Sequence, residues 1–154
     1  MCCCRDRREL VHFRVTTHPT AAWVWRQLIE ATAWSRRPKH LIRDRDTVYG
    51  GDFGARAARL GIEPILTPVR APRANAIAER VVRTLRNECL DHVIVLHEAH
   101  LRAVLREYVA YHNTARPHRS LGLKPPLPGE GRRTGPIHAR PVLGGLHHVY
   151  ERAA

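Results

Sequence analysis

The chain has 154 residues, a length that fits one domain, and it is strongly basic. It carries 26 Lys and Arg against 14 Asp and Glu, and the resulting formal net charge of +12 is spread along its length. This excess favours a polyanionic partner such as nucleic acid, because each neutralised phosphate releases counterions. The alternative is an ordinary solvated basic surface. No apolar run approaches the ~20 residues of a membrane span, so we expect a cytoplasmic protein.

The four cysteines do not indicate a disulfide framework or a zinc site. Cys2, Cys3 and Cys4 are consecutive, whereas a zinc knuckle needs the C-x-x-C spacing. Cys89 stands alone in a helical pattern, and we expect it to be a small core residue.

Strands alternate with helices through most of the chain, which predicts an α/β sheet with parallel members. We expect strands at 10–16, 41–44 and 62–66, and helices at 21–33, 52–60, 74–90 and 97–112. Thr20 is the expected cap of the first helix and Gly61 the expected end of the second. Prolines and glycines dominate after residue 122, so we predict a core at 1–122 and an extension at 123–154. Residues 140–150 either add one short strand or lie loose.

Two acidic motifs are the main chemical signal. Asp44 follows an expected strand, Glu79 lies near the start of an expected helix, and 34 residues separate them. At 3.6 residues per turn, that helix has one apolar stripe and one polar side. The predicted stripe is Ala78, Val81, Val82, Leu85 and Cys89, and the polar side is Asn75, Glu79, Arg83 and Arg86. Two carboxylates displayed in so basic a chain suggest divalent-metal phosphodiester chemistry.

Each carboxylate also has a plainer interpretation. Glu79 and Arg83 have the i,i+4 spacing of a surface ion pair. Asp44 is a residue type that forms turns after strands. Asp46 points to the same side of an extended strand as Asp44, so it competes for the same role.

Three segments resemble the integrase catalytic core of insertion-sequence transposases and retroviral-type integrases. They are Arg43-Asp44-Arg45-Asp46-Thr47-Val48-Tyr49, the segment Pro72-Arg73-Ala74-Asn75-Ala76-Ile77-Ala78-Glu79, and Tyr111-His112-Asn113-Thr114-Ala115-Arg116-Pro117-His118-Arg119-Ser120-Leu121-Gly122. The last is similar to the family's Y-[HN]-N-x-x-R-P-H-x-x-L-G segment and is the most specific. The closing Gly144-Gly145-Leu146-His147-His148 is similar to the tail of one bacterial branch.

The resemblance implies a ribonuclease-H-like α/β fold with an Asp, Asp, Glu catalytic set that binds Mg²⁺ or Mn²⁺. It maps the second Asp onto Asp44 and the Glu onto Glu79, with one residue fewer between them than the family usually has. It also implies homo-oligomers that act on transposon ends and target DNA at the nucleoid. The candidate DNA contacts are Asn75, Arg83, Arg86, Arg116 and Arg119.

The same alignment implies an incomplete core that lacks the first strand, most of the second, and the first catalytic Asp. We therefore expect the chain to be inactive by itself in DNA cleavage and strand transfer. Two alternatives remain open: a non-catalytic DNA-binding remnant or inhibitory fragment of a transposase, and a reading frame whose true start lies further upstream.

Overall fold

The computed structural model describes residues 2–3, 8–33, 37–68, 76–130 and 134–152. The chain divides into two compact units. The first comprises Met1–Cys2 and His12–Val81, and the second comprises Cys3–Val11 and Val82–Ala154. The described strands are β1 (Cys2–Cys3), β2 (Leu10–His12), β3 (His40–Arg43), β4 (Glu63–Leu66), β5 (Ile137–Val142) and β6 (His147–Arg152). The described helices are α1 (Ala21–Thr32), α2 (Phe53–Arg59), α3 (Ala76–Glu88) and α4 (Glu98–Thr114).

The first unit is built on the parallel pair of β3 and β4. The pair is in register from His40 opposite Glu63 to Arg43 opposite Leu66, so the predicted parallel pairing is confirmed. A helix connects the two strands, as a parallel crossover requires. The core of this unit contains side chains from α1, from α2 and from the residue before β4: Leu28, Phe53, Ala57 and Ile62.

Local signals in the sequence set the helix ends of this unit. The Thr20 hydroxyl accepts a hydrogen bond from the Trp23 backbone N–H at 3.2 Å, which satisfies one of the donors left free at the start of α1. After α2, Gly61 has a φ of +72°, a conformation that glycine adopts without the strain a side chain would bring. Both expected roles are confirmed.

The second unit packs α4 and the end of α3 against an antiparallel hairpin. One side of α4 is buried through Val104, Leu105 and Tyr108, which recur at helical spacing, and Cys89 is fully buried just after α3. Burial raises the pKa of the Cys89 thiol to about 11, and the nearby Glu107 carboxylate adds to this increase. A thiol with so high a pKa is an inert packing residue at neutral pH.

Strands β5 and β6 form a six-pair antiparallel ladder, from Ile137 opposite Arg152 to Val142 opposite His147. The expectation for 140–150 allowed at most one short strand, so the structure has more order here than we expected. Gly144 and Gly145 make the turn with φ values of +65° and +98°, which suit glycine. The Leu143 N–H at the turn donates to Glu107 Oε1 on α4 at 2.6 Å.

Two predictions of local structure need correction. The strand expected at 10–16 ends at His12. The predicted apolar stripe of α3 is only partly buried: Leu85 and Cys89 are covered, whereas Val82 is 51% exposed. Helical spacing gives the angle of a side chain around the helix axis. Which of the apolar side chains on that side become buried depends on the elements that pack against the helix.

No helix in the described parts of the chain is both long and apolar enough to cross a membrane.

Candidate active site and DNA-binding residues

The structure distinguishes the two neighbouring aspartates after β3. The Asp46 carboxylate caps a 3₁₀ turn over Thr47–Tyr49 and accepts a hydrogen bond from the Val48 N–H at 2.9 Å. Asp44 is exposed, and within the described parts of the chain its Oδ1 accepts a single long hydrogen bond, 3.4 Å, from the Asp46 N–H. One oxygen of Asp46 is therefore used in the fold, while both oxygens of Asp44 are accessible to a ligand.

The arginines that flank Asp44 anchor this loop to its surroundings. The Arg43 guanidinium lies over two aromatic rings, 4.7 Å from the centroid of Tyr49 and 5.2 Å from that of Phe53. The Arg45 Nε–H donates to the Thr67 carbonyl just after β4 at 3.2 Å. Both arginines thus hold the loop in place, and neither is a free surface charge.

Glu79 lies exposed in the first turn of α3. A carboxylate there is favoured by the positive end of the helix dipole. Among the described residues Glu79 has no hydrogen-bond or ion-pair partner, so the Glu79–Arg83 pair that its spacing permits does not form. Its oxygens, like those of Asp44, are accessible to a ligand.

The donor chemistry of Asp44 and Glu79 suits a hard divalent cation, since Mg²⁺ prefers oxygen ligands and is commonly bound through one or two carboxylates. Both residues belong to the first unit. Within the described residues no three His, Cys, Asp or Glu side chains cluster closely enough to hold a metal ion. The described part of the chain therefore supplies two candidate ligands for such an ion and no complete ligand set.

The five predicted DNA contacts differ in what surrounds them. Asn75 lies outside the described residues. Arg83 and Arg119 are exposed. Arg86 is also exposed and makes a long ion pair, 3.7 Å, with Asp91. Exposed pairs of this kind are weak, so the pair with Asp91 does not prevent Arg86 from binding another anion. The guanidinium groups of Arg83, Arg86 and Arg119 are therefore all accessible to phosphate.

Arg116 has a structural role that the sequence did not predict. Its guanidinium binds the Glu88 carboxylate at the end of α3 through two hydrogen bonds, 2.6 Å from Nε and 2.5 Å from Nη2. The Tyr108 hydroxyl of α4 donates to the same carboxylate at 3.1 Å. A bidentate ion pair of this kind fixes both side chains in one geometry. We call Glu88, Arg116 and Tyr108 the clamp.

The pKa values in the clamp follow from this arrangement. Burial by itself raises the pKa of the Glu88 carboxyl, but the hydrogen bonds and charge of Arg116 outweigh it, and the net pKa lies below the usual value. Burial, together with the Glu88 charge, raises the pKa of the Tyr108 hydroxyl. The hydrogen bonds to Glu88 raise the pKa of Arg116. The clamp is thus an ion pair with a neutral tyrosine at neutral pH.

Asn113, in the most specific of the three motifs, ties the N-terminal residues of the second unit to α4. Its side-chain oxygen accepts from the Leu10 N–H at 2.9 Å, and its side-chain nitrogen donates to the Leu10 carbonyl at 3.0 Å. Its own backbone carbonyl accepts from the Leu127 N–H at 2.7 Å. An amide that offers one donor and one acceptor pairs with a strand backbone as another strand would.

Two buried histidines of the same motif are held neutral. Burial lowers the pKa of both His112 and His118, and the Arg116 charge lowers them further. His112 Nε2–H donates to the Arg8 carbonyl at 3.1 Å, and its buried Nδ1 has no hydrogen-bond partner among the described residues. His118 Nδ1 accepts from Arg116 Nη1 at 3.4 Å, so a proton there would face a cation.

A further contact joins the motif to the hairpin. The Tyr111 ring stacks on the His147 ring with centroids 4.7 Å apart and planes 12° apart. His147 Nε2–H donates to the Glu88 carbonyl at 2.7 Å. Sequence reasoning assigned no role to Glu88 and did not predict the polar contacts of Tyr108 and His147. The available signals were an unexplained Glu near the end of a basic helix and a Tyr at the centre of an apolar helix face.

The sequence of this chain matches a family model and two proteins of insertion elements. Residues 60–126 match the family model described as "Integrase core domain". An insertion element IS476 uncharacterized 39.2 kDa protein of Xanthomonas euvesicatoria is 32% identical over 124 residues, 77% of this chain and 35% of that protein. A putative transposase InsD for insertion element IS2E of Escherichia coli (strain K12) is 29% identical over 134 residues, 80% of this chain and 60% of that protein.

A solved structure extends the similarity to the fold. The cryo-EM structure of a simian T-cell lymphotropic virus intasome, in complex with PP2A regulatory subunit B56 gamma, matches 90% of this chain and 54% of the compared chain, with a TM-score of 0.53 and 18% identity. The fold class is therefore ribonuclease-H-like α/β, as predicted.

Together the matches support an integrase or transposase catalytic core, which confirms the resemblance inferred from the sequence. The chain spans 35% and 60% of the lengths of the two curated relatives.

Proposed function

We propose that this chain is part of a transposase core that acts in DNA transposition by metal-dependent phosphodiester hydrolysis and strand transfer. The observation that carries the proposal is the pair of accessible carboxylates. Asp46 serves as a cap, whereas Asp44 is exposed and accepts a long hydrogen bond, and Glu79 is unpaired among the described residues. Glu79 also lies inside the segment that matches the integrase core model.

Asp44 and Glu79 are the proposed ligands for Mg²⁺ or Mn²⁺. Asp44 and Glu79 would hold the cation, which would supply Lewis-acid activation of an attacking oxygen and stabilisation of a leaving oxygen in a phosphodiester. The contribution of the chain itself is to hold two charged oxygen groups in place: Asp44 between two anchored arginines, and Glu79 on the first turn of a helix.

The proposed substrate is DNA, comprising transposon ends and a target, and the proposed setting is a homo-oligomer in the bacterial cytoplasm at the nucleoid. The exposed side chains of Arg83, Arg86 and Arg119 are the candidate phosphate contacts. We assign no DNA contact to Arg116, because its guanidinium is already bound to Glu88. The net charge of +12 supports nonspecific attraction to any DNA.

A second function is DNA binding without strand transfer, as in a transposase remnant or an inhibitory fragment. The specific observation in its favour is that the described residues contribute two, not three, candidate metal ligands. With two carboxylates the chain balances only part of the charge of two dications. We therefore propose that this chain, assayed alone, binds one cation weakly and gives no strand-transfer product.

Titration with Mn²⁺ tests the metal assignment without relying on activity. We expect weak binding by the unaltered chain, measured by electron paramagnetic resonance of free Mn²⁺, and at least about tenfold weaker binding for Asp44→Asn or Glu79→Gln, because each removes a charged oxygen ligand and keeps the shape. Asp46→Asn is the matched control, since Asn caps a turn about as well as Asp.

Loss of Mn²⁺ binding in Asp46→Asn but not in Asp44→Asn would show that the other aspartate is the ligand. Equal Mn²⁺ binding by all four proteins would refute the site. Strand-transfer product from the unaltered chain with a labelled transposon end would refute the claim that this chain is inactive alone.

A further inference from the structure

The β5–β6 hairpin has two faces with different surroundings. Side chains alternate between the faces along each strand. On the inner face Val142 is buried, and the ring of its partner His147 stacks on Tyr111. The other face, which we call the outer face, carries six side chains that are all exposed: Ile137, Ala139, Pro141, His148, Tyr150 and Arg152.

The outer face displays aromatic and apolar surface that the fold does not use. Tyr150 is 72% exposed and Ile137 is 61% exposed. Opposite Tyr150 in the ladder is Ala139, whose methyl group leaves the phenol ring uncovered. The ring of His148 lies on the same strand and face, 6.4 Å from the Tyr150 ring and tilted 34° from it. Two rings at this spacing offer two planar surfaces side by side.

The charge of the outer face is positive. Arg152 is its only formally charged residue, and its Nη1 donates to the Gly135 carbonyl at 2.8 Å, which holds the guanidinium beside the start of the hairpin. The single carboxylate of the two strands, Glu151, belongs to the inner face and pairs with Arg140 at 3.2 Å. A surface with rings and a cation but no acid complements a polyanion with exposed planar groups.

We propose that the outer face of the hairpin binds an unpaired DNA strand, with a base stacked on Tyr150, a second planar contact at His148, and Arg152 near a phosphate. This inference rests on the DNA-binding part of the proposed function. It adds that this surface binds single-stranded DNA. Exposed aromatic rings next to cations are the means by which proteins bind single strands without reading sequence. In duplex DNA the faces of the bases are covered by their neighbours, so exposed rings on the hairpin have no base face on which to stack.

Variants at Tyr150 separate stacking from general apolar contact. The full chain is titrated by fluorescence anisotropy against a labelled oligothymidylate and a labelled duplex of equal length. We expect Tyr150→Ala to weaken binding of the single strand roughly 5- to 150-fold. Tyr150→Phe, which keeps the ring, should bind within about twofold of the unaltered chain. Tyr150→Leu, which keeps apolar bulk but has no ring, should resemble the alanine variant.

Ile94→Ala is the matched control, because Ile94 is an 85% exposed apolar residue of the same unit outside the hairpin. It should leave affinity for the oligothymidylate unchanged, and none of the variants should change affinity for the duplex. Full affinity in Tyr150→Leu, or an equal loss on duplex and single strand, would overturn the inference. Failure of the unaltered chain to bind the duplex would instead refute the proposed DNA-binding function itself. A chain that binds duplex but not oligothymidylate would refute only the role of the hairpin.

Discussion

The loop after β3 and the end of α4 both carry motifs of the integrase core, and they differ in how their polar groups are used. Asp44 is exposed and has one long hydrogen bond. Arg116 and Asn113, by contrast, each make two short hydrogen bonds to groups distant in the sequence. The most specific sequence motif is therefore part of the framework, whereas the candidate chemistry lies where the framework leaves oxygens free. A polar residue in a motif is evidence of function only after its partners are known.

Breaking the clamp should have the largest effect on stability. Arg116→Ala leaves the half-buried Glu88 carboxylate without its cation, and we expect a loss of about 1–3 kcal/mol in the free energy of unfolding, below the cost at fully buried pairs. Urea denaturation followed by circular dichroism measures it.

Arg102→Ala is the control for that prediction. Arg102 pairs with Glu98 one turn away on the exposed side of α4, and such pairs contribute about 0.5 kcal/mol or less. Equal losses in the two variants would mean that the clamp is only a surface pair. A weakened affinity for duplex DNA in Arg116→Ala at full stability would restore the DNA contact that the sequence suggested.

Acid should produce a smaller, graded loss of stability in the same region. His112 and His118 have lowered pKa values in the folded state, so the unfolded chain takes up their protons first as the pH falls below about 6.5. More protons are then bound by the unfolded state, and stability decreases. The lowered pKa of Glu88 adds a second loss below about pH 4.3.

Urea midpoints measured between about pH 7.5 and 5 test the sign of this effect. A flat profile over that range would contradict buried neutral histidines. His112→Gln removes one of the two titrating groups and should reduce the slope, provided that the variant still folds cooperatively.

The smallest effect on stability is expected in the loop after β3 and at the start of α3. Asp44→Asn and Glu79→Gln should each change the free energy of unfolding by less than about 0.5 kcal/mol, because neither carboxylate has a short hydrogen bond or an ion pair among the described residues. The same urea experiment applies. A loss as large as that of Arg116→Ala would show that these carboxylates are framework residues too, which would remove the contrast between the two regions.

Much of the local structure was predictable because it depends on neighbours in the sequence. Thr20 at the start of α1, Gly61 after α2 and the buried side of α4 follow from capping, from backbone sterics and from helical spacing. The glycine pair at the tip of the hairpin was an unused signal of the same kind. The cap formed by Asp46 was also local, since it binds an N–H two residues on.

The sequence by itself determined the alternation of elements, the two candidate carboxylates and the likeness to the integrase core. Only the tertiary structure decided which arginine is a framework residue, because Arg116 meets Glu88 across 28 positions. It likewise paired Asn113 with Leu10 across 103 positions and left Tyr150 uncovered on the hairpin. The physical reason is that caps and helix faces depend on residues within a few positions along the chain. The partner of a long polar side chain depends instead on which elements pack together. A single sequence does not specify that packing.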